Sequence, residues 1–190
     1  MVHNWVLYIA AFASAFAISM VATPFAKKVS EKLGAIDYPK ARGMHTKPMP
    51  RLGGIAIVLG FMITVLVLYR FVNDINIKHF CGFIAGAIVI VGVGIVDDSR
   101  QLPARVKLVF QIIAALLVIG SGIRINVVMW PVTTYLQKLS APITLIWIIG
   151  ITNAVNLIDG LDGLAAGVSS IASICLMVLC ILTGTESAVV

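Results

Sequence analysis

The sequence has 190 residues, of which 60% are hydrophobic and 12% are charged, and its formal net charge is +6. A soluble domain has about 45–50% apolar and about 25% charged residues, so this composition excludes an ordinary soluble globular protein. It also excludes a disordered chain, because such chains are poor in hydrophobic residues. The excess of Lys and Arg is typical of cytoplasmic loops that meet anionic lipid, so we expect a lipid bilayer and no nucleic acid as the partner.

Six stretches of the chain carry no formal charge, and a membrane-spanning helix needs roughly 17 to 25 residues. The fourth stretch is the shortest, and the long stem of Lys107 allows it to extend to residue 106. We predict membrane helices over about residues 5–26, 52–70, 80–96, 106–123, 139–158 and 163–185. The predicted fold class is all-α, a polytopic integral membrane helix bundle in which residues 1–190 form a single membrane domain.

The placement of basic residues predicts that the N-terminus lies outside. In that orientation the inner loops hold ten Lys and Arg residues and the outer loops hold four, as the positive-inside rule requires. A cleaved signal peptide carries its positive charge before its apolar core. Lys27 and Lys28 follow the first apolar stretch instead, so we interpret this stretch as a retained helix.

Two adjacent carboxylates, Asp97 and Asp98, end the predicted third helix. The helix dipole disfavours negative charge at this end, and neighbouring carboxylates repel each other, so a positive group is expected beside them. One interpretation is a solvated helix end with salt bridges to Arg100, Arg105 and Lys107. The other is a divalent metal ion bound by the carboxylates.

A second polar group closes the predicted fifth helix. Its members recur every three positions and therefore share one slowly drifting helix face: Asn153, Asn156, Asp159 and Asp162. Polar groups at that depth face a bundle interior or a wet cavity, and Gly160 favours a helix break where backbone approaches a ligand. The alternative is a capped polar turn, which explains Asp162 but not the two asparagines.

The first inner loop combines basic side chains with prolines and leads into the second helix. It contains His45, Lys47 and Arg51, and Gly53 and Gly54 follow at the helix start. A helix N-terminus with glycine and nearby cations can receive a phosphate. Membrane topology alone also requires a basic inner loop, so both interpretations stay open.

These three segments place cations, paired carboxylates and an Asn/Asp stripe on one membrane face. Carboxylates hold a divalent cation, usually Mg²⁺, and cationic side chains hold phosphate oxygens. The residues alone therefore predict phosphoryl transfer at the cytoplasmic membrane surface. A transporter or lipid-binding module would instead place acidic groups near the midplane and use paired half-helices.

Three motifs in this order resemble the polyprenyl-phosphate N-acetylhexosamine-1-phosphate transferase family, glycosyltransferase family 4. They are HTKPMPRLGG over residues 45–54, Asp97-Asp98 followed by Lys107 and Gln111, and NAVNLIDGLDG over residues 153–163. The PRLGG ending is similar to the branch that uses UDP-GlcNAc, whereas the phospho-MurNAc-pentapeptide translocase branch usually has PTMGG there. CDP-alcohol phosphotransferases fit less well, because their Asp-Gly is followed by Ala-Arg and here Leu follows.

The resemblance implies transfer of GlcNAc-1-phosphate from UDP-GlcNAc to undecaprenyl phosphate, giving undecaprenyl-diphospho-GlcNAc and UMP. This would be the first membrane step of a cell-envelope polysaccharide or teichoic acid pathway. The alternatives are the phospho-MurNAc-pentapeptide translocase reaction and a non-enzymatic transporter or lipid-binding module. The resemblance also implies Mg²⁺ as the cofactor, with Mn²⁺ as its substitute, and a bacterial cell membrane location with the active face cytoplasmic. A homodimer is one option for the assembly.

The resemblance assigns roles to residues of all three motifs. Asp97 or Asp98 would be catalytic, as a base that deprotonates or orients the lipid phosphate or as a nucleophile. Asp98, Asn156 and Asp159 would bind the metal. The remaining positions would bind substrate: His45, Lys47, Arg51, Lys107, Asn153, Asn156, Gly160, Leu161 and Asp162.

Members of this family are considerably longer than this chain and carry a further metal-binding aspartate and a histidine-rich motif in later inner loops. The resemblance therefore implies a further metal ligand beyond Val190, the last residue of the sequence. We expect the chain to be the N-terminal part of a longer enzyme and to be inactive alone. Magnesium-dependent UMP release by the purified 190-residue chain would contradict that expectation.

Overall fold

A computed structural model describes residues 5–38, 48–71, 76–125, 133–159 and 163–183. Six α-helices dominate it: α1 (Trp5–Leu33), α2 (Gly53–Leu68), α3 (Ile77–Arg100), α4 (Ala104–Ser121), α5 (Thr133–Ile158) and α6 (Leu164–Thr183). A short 3-10 helix, Tyr69–Phe71, follows α2. Two strands, β1 (Ile36–Asp37) and β2 (Met49–Pro50), pair antiparallel with Ile36 opposite Pro50. The predicted all-α fold class is confirmed.

All six helices are long and apolar enough to cross a membrane, which confirms the predicted number of membrane helices among the described residues. In each apolar window at most 22% of the residues are buried inside the protein, and in α6 none is. These side chains need an apolar covering that the described residues do not supply, as expected where lipid surrounds a helix. The N-terminus-out orientation stays a prediction.

Several helices extend beyond the uncharged stretches from which they were predicted. Instead of ending at residues 26 and 96, α1 continues to Leu33 and α3 to Arg100. Charged side chains can be solvated at a membrane surface, so the first charged residue in the sequence marks the end of the apolar span. The backbone hydrogen bonds of the helix can continue beyond that residue. As a result, Asp97 and Asp98 lie within the last turn of α3.

The described residues divide into two compact units. In the first unit, α1 and α2 pack closely because small residues line their contact. The hydroxyls of Ser14 and Thr64 lie 3.3 Å apart across it. A Cβ added to Gly60 would lie 2.6 Å from the carbonyl oxygen of Ala15 and 2.9 Å from the Cβ of Ser19. Small residues allow helix backbones to approach in this way in membrane proteins.

This packing predicts that Gly60→Ala destabilises the protein. The added methyl group meets backbone, which must move, and overpacking of this kind costs roughly 1–3 kcal/mol. We expect a lower midpoint of thermal unfolding, as measured by circular dichroism of the protein in detergent. Gly92→Ala is the matched control, because nothing lies within 4 Å of a Cβ at that helical glycine. An equal loss of stability in both variants would contradict the close contact of α1 with α2.

The second unit contains most of α3 together with α4 and α5, and α4 packs against α5. Gly82 and Gly86 lie one turn apart on α3, and a Cβ at either position would overlap α4 side chains, those of Ser121 and Val118. α4 ends at Ser121, and its C-cap Gly122 has a φ of 107°, the left-handed conformation. The second unit contains the predicted site residues Asp97, Lys107 and Asn153.

Candidate functional site

Asp97 organises the turn between α3 and α4. Its carboxylate oxygen Oδ1 accepts a hydrogen bond from the backbone N–H of Leu102 at 2.8 Å, and Oδ2 accepts one from the Lys107 ammonium at 2.8 Å. Gln101 adopts a left-handed conformation with φ of 51°, which ends α3 and allows this short turn. The salt-bridge interpretation of the acidic pair is therefore confirmed for Asp97, with Lys107 as its cation.

Asp98 follows Asp97 on the same turn of α3 and is half-buried. Successive helical residues point about 100° apart. Asp98 therefore has a different direction from Asp97, whose two oxygens are both engaged by the α3–α4 turn. The two carboxylates are alike in sequence and distinct in structure.

One turn beyond Lys107 on α4, Gln111 forms a reciprocal amide pair with Asn153 of α5. The Asn153 amide nitrogen donates to Gln111 Oε1 at 2.8 Å, and Gln111 Nε2 donates to Asn153 Oδ1 at 3.3 Å. Asn153 also donates to the carbonyl oxygen of Ile149 at 2.8 Å. Because Gln111 is only 9% exposed, loss of either partner would leave a buried polar group unsatisfied.

We call Asp97, Lys107, Gln111 and Asn153 the polar row. Lys107 and Gln111 are four residues apart and so share one face of α4. The role of Gln111 as the partner of Asn153 was missed from the sequence. The i, i+4 spacing with Lys107 could have indicated that Gln111 lies on the same face of α4 as a predicted site residue. The amide of Asn153 is committed within the protein, so its predicted role in substrate binding stays a prediction.

The other predicted ligands at the end of α5 are not covered by the described residues. Asn156 and Asp159 are both exposed, and α5 ends at Ile158. Gly163 has a φ of 76°, so the break between α5 and α6 includes a left-handed residue where glycine is favoured. Gly160, Leu161 and Asp162 lie outside the described residues.

In the first unit, Arg51 lies at the base of the loop between α1 and α2. Its Nη2 donates to Asp37 Oδ1 at 2.8 Å, and its backbone N–H donates to the carbonyl oxygen of Ala35 at 2.9 Å. The Ser30 hydroxyl also donates to the carbonyl oxygen of Ala35. Leu52, the residue that follows Arg51, is buried. The acidic partner Asp37, set in a basic segment, was missed from the sequence. His45 and Lys47 lie outside the described residues.

The predicted metal ligands Asp98, Asn156 and Asp159 all supply oxygen donors, the ligand type that Mg²⁺ prefers. Each is half-buried or exposed, so water or an ion can reach it. Among the described residues, no group of three or more His, Cys, Asp or Glu side chains is assembled to hold a metal. The chemistry of the donors fits Mg²⁺, and their assignment as ligands stays a prediction.

The further metal ligand expected beyond Val190 also stays a prediction. The description of the chain ends at Thr183, so Val190 and the six residues before it lie outside the described residues. The three predicted ligands give three donor groups, whereas Mg²⁺ takes near-octahedral coordination and usually keeps several waters. Water, a substrate phosphate or a ligand beyond Val190 would therefore have to complete the coordination of the metal.

The family model described as glycosyl transferase family 4 matches residues 80–190, which is more than half of the chain. The chain belongs to glycosyl transferase family 4. The match begins in α3 and therefore contains the whole polar row, Asp98, and the end of α5. It does not contain Arg51 or the loop before it.

Curated members of the family match over part of their length. A Bacillus subtilis protein named "Probable undecaprenyl-phosphate N-acetylglucosaminyl 1-phosphate transferase" is 37% identical over 148 residues, covering 76% of this chain and 40% of that protein. A decaprenyl-phosphate N-acetylglucosaminephosphotransferase of Mycobacterium tuberculosis is 34% identical, covering 60% of this chain and 30% of its own. An Escherichia coli undecaprenyl-phosphate alpha-N-acetylglucosaminyl 1-phosphate transferase is 31% identical, covering 46% and 22%.

The chain thus spans 40% or less of the length of these family 4 relatives. No solved structure is a significant match for the chain. Family membership, together with six helices suited to a bilayer, makes this a multi-pass membrane protein of a phospho-sugar transferase family.

Proposed function

We propose that this protein takes part in transferring GlcNAc-1-phosphate from UDP-GlcNAc to undecaprenyl phosphate at the cytoplasmic face of a bacterial cell membrane. The observation that carries the proposal is the similarity to relatives that are named for polyprenyl phosphate and GlcNAc-1-phosphate. The polar row supports it, because it places a cation beside acidic and amide side chains at helix ends.

In this reaction an oxygen of the lipid phosphate attacks the β-phosphorus of UDP-GlcNAc. A bond forms between that oxygen and the β-phosphorus, and the bond from the β-phosphorus to the oxygen bridging to the α-phosphate breaks. UMP leaves with that bridging oxygen, and undecaprenyl-diphospho-GlcNAc is formed. Both reactants are anionic, so the protein must hold them together against repulsion and keep the attacking and leaving oxygens in line.

We propose Asp98 as the group that orients or deprotonates the lipid phosphate. Both carboxylate oxygens of Asp97 are occupied by the N–H of Leu102 and by Lys107, so Asp97 is suited to positioning. Asp98 lies one residue further along the same helical turn. We assign Asp97 as a positioning residue and Asp98 as the catalytic carboxylate.

Lys107 is the cation proposed to meet a phosphate. It lies in the first turn of α4, and its ammonium is held at 2.8 Å from Asp97. The N-terminal end of a helix carries partial positive charge, and Arg105 adds a formal charge on the same turn. The pair with Asp97 limits the freedom of the Lys107 side chain, which lowers the entropy cost of holding it against a phosphate oxygen.

Mg²⁺, when bound, would neutralise the diphosphate and the leaving UMP. Asp98, Asn156 and Asp159 would hold it through their side-chain oxygens. Asp159→Asn should then raise the Mg²⁺ concentration needed for half-maximal transfer at least about tenfold, measured by titrating Mg²⁺ against product formation. The matched control is Glu31→Gln, which removes an exposed carboxylate on α1. An unchanged Mg²⁺ requirement in Asp159→Asn would contradict its assignment as a ligand.

The sugar substrate is tested with membranes from cells that produce the intact protein. Membranes are supplied with undecaprenyl phosphate and either labelled UDP-GlcNAc or labelled UDP-MurNAc-pentapeptide. We expect label in the lipid extract only from UDP-GlcNAc, above the level of membranes without the protein. Label only from UDP-MurNAc-pentapeptide would support the translocase alternative, and label from neither would contradict the enzymatic function.

A further inference from the structure

A cavity of about 390 Å³ lies between α3, α4 and α5 within the second unit. Ligand pockets measure roughly 300–1,000 Å³, so this volume is large enough to hold part of a ligand. The lining is almost entirely apolar and includes Phe83, Ala87, Ile90, Val118 and Trp147, and it contains one charged side chain, that of Arg124. Trp147 is 60% exposed, so the cavity is open to the side as a groove.

The groove lies toward the end of the unit that is opposite to the polar row. Phe83 and Asp97 are both on α3, and the 14 residues between their positions correspond to about 21 Å along a helix. Arg124 follows the C-terminal end of α4, whereas Lys107 lies at its N-terminal start. The Arg124 end of the groove therefore lies away from the proposed reaction site, whereas its lining residue Ala114 is within one turn of Gln111 on α4.

The backbone next to Arg124, which lines the groove, is held in place by hydrogen bonds. The neighbouring residue Ile125 donates its N–H to the Thr144 hydroxyl at 2.9 Å and accepts a hydrogen bond from the Ser140 hydroxyl at 2.8 Å. Ser140 and Thr144 are both buried in α5. Arg124 itself donates through Nε to the carbonyl oxygen of Ile119 at 3.4 Å. That contact leaves the two terminal nitrogens of the guanidinium to form the planar fork that binds phosphate.

An apolar groove that is open to the side and lined by one guanidinium matches an anionic amphiphile. We propose that the groove binds one acyl chain of an anionic phospholipid, whose headgroup phosphate pairs with Arg124. The hydrocarbon chain covers apolar side chains that the described residues leave open, and the guanidinium selects a net negative headgroup over a zwitterionic one. Polyprenyl phosphate is disfavoured as the occupant, because its phosphate is proposed to react at the opposite end of α3.

Trp147 allows the groove to be probed directly. In the intact protein with Trp5, Trp130 and any tryptophan outside this chain replaced by Phe, Trp147 fluorescence is measured in phosphatidylcholine vesicles. Either brominated phosphatidylglycerol or brominated phosphatidylcholine is added at increasing mole fraction as the quencher. One Arg at a membrane surface attracts an anionic lipid by an amount equal to about fivefold in affinity. We therefore expect half-maximal quenching at about fivefold lower mole fraction for phosphatidylglycerol.

Three variants and two competitors decide the assignment. Arg124→Gln should abolish the preference for phosphatidylglycerol, and Ala87→Phe, which fills the groove, should abolish it as well. Lys138→Gln is the matched control, an exposed cation on α5 that does not line the groove, and should keep the preference. Soluble glycerol phosphate should not compete, because it has no acyl chain.

Equal quenching by both lipids, or a preference that persists in Arg124→Gln, would overturn the proposal. A stronger competition by undecaprenyl phosphate than by phosphatidylglycerol would overturn the choice of phospholipid. Neither result depends on transferase activity, so the failure of this proposal is distinguishable from failure of the proposed function.

Discussion

Asp98→Asn is expected to lower the rate of GlcNAc-1-phosphate transfer about 100- to 10,000-fold, the range that a positioned acid or base contributes. The amide has nearly the shape of the carboxylate, but it cannot accept a proton or carry negative charge. The rate is measured as labelled lipid formed per unit of protein in membranes that contain the intact enzyme. Because Asp98 lies within α3, which continues to Arg100, the substitution leaves the helix backbone intact.

Two controls distinguish loss of catalysis in Asp98→Asn from loss of folding. The midpoint of thermal unfolding of Asp98→Asn should stay close to that of the parent, which separates loss of chemistry from loss of fold. Glu31→Gln should retain full activity, since it also removes one carboxylate, but from the surface of α1. If Asp98→Asn kept most of the parent's rate, Asp98 would not be the catalytic carboxylate.

The second large effect is expected for the Asp97–Lys107 pair. Asp97→Asn and Lys107→Met should each lower kcat about 100-fold, the loss that a misplacement of about 1 Å can cause. Asp97 and Lys107 are 21% and 31% exposed, so each charge stabilises its partner in a partly dry setting. Removal of one partner leaves the other charge uncompensated and frees the α3–α4 turn.

The double variant Asp97→Asn with Lys107→Met separates positioning from independent catalysis. If the pair acts as a unit, the double variant should lose about as much activity as either single variant, because the interaction is already absent. The KM for UDP-GlcNAc should rise more in Lys107→Met than in Asp97→Asn, since Lys107 is the member of the pair that is proposed to touch a phosphate. Strictly additive losses, or equal KM values in both single variants, would contradict these roles.

The sequence was sufficient to predict the helices, because the thickness of the hydrocarbon core fixes how long an apolar span must be. It could not predict where α1 and α3 end, since helical hydrogen bonding continues to Leu33 and Arg100 beyond the apolar span. The sequence also could not separate the roles of Asp97 and Asp98. Two adjacent residues of one type are indistinguishable until the turn that follows them is known.

Contacts between side chains that are far apart in sequence could not be predicted either. Gln111 and Asn153 are 42 residues apart, and their pairing depends on how α4 and α5 are shifted along each other. Arg51 and Asp37 meet because two short strands bring them together across the loop between α1 and α2. Residue type and spacing within one helix predicted that these polar groups matter, but contacts between elements decide which of them are engaged within the protein.

The most direct test of the proposed function uses UDP-GlcNAc labelled in its β-phosphate. Membranes that contain the intact protein are incubated with undecaprenyl phosphate and Mg²⁺, and the lipid extract and the soluble nucleotides are separated. Attack at the β-phosphorus predicts labelled lipid and unlabelled UMP in equal amounts, and both should be lost in Asp98→Asn. Label that stays in soluble UDP while the sugar enters the lipid would show transfer of GlcNAc without its phosphate and would contradict the account.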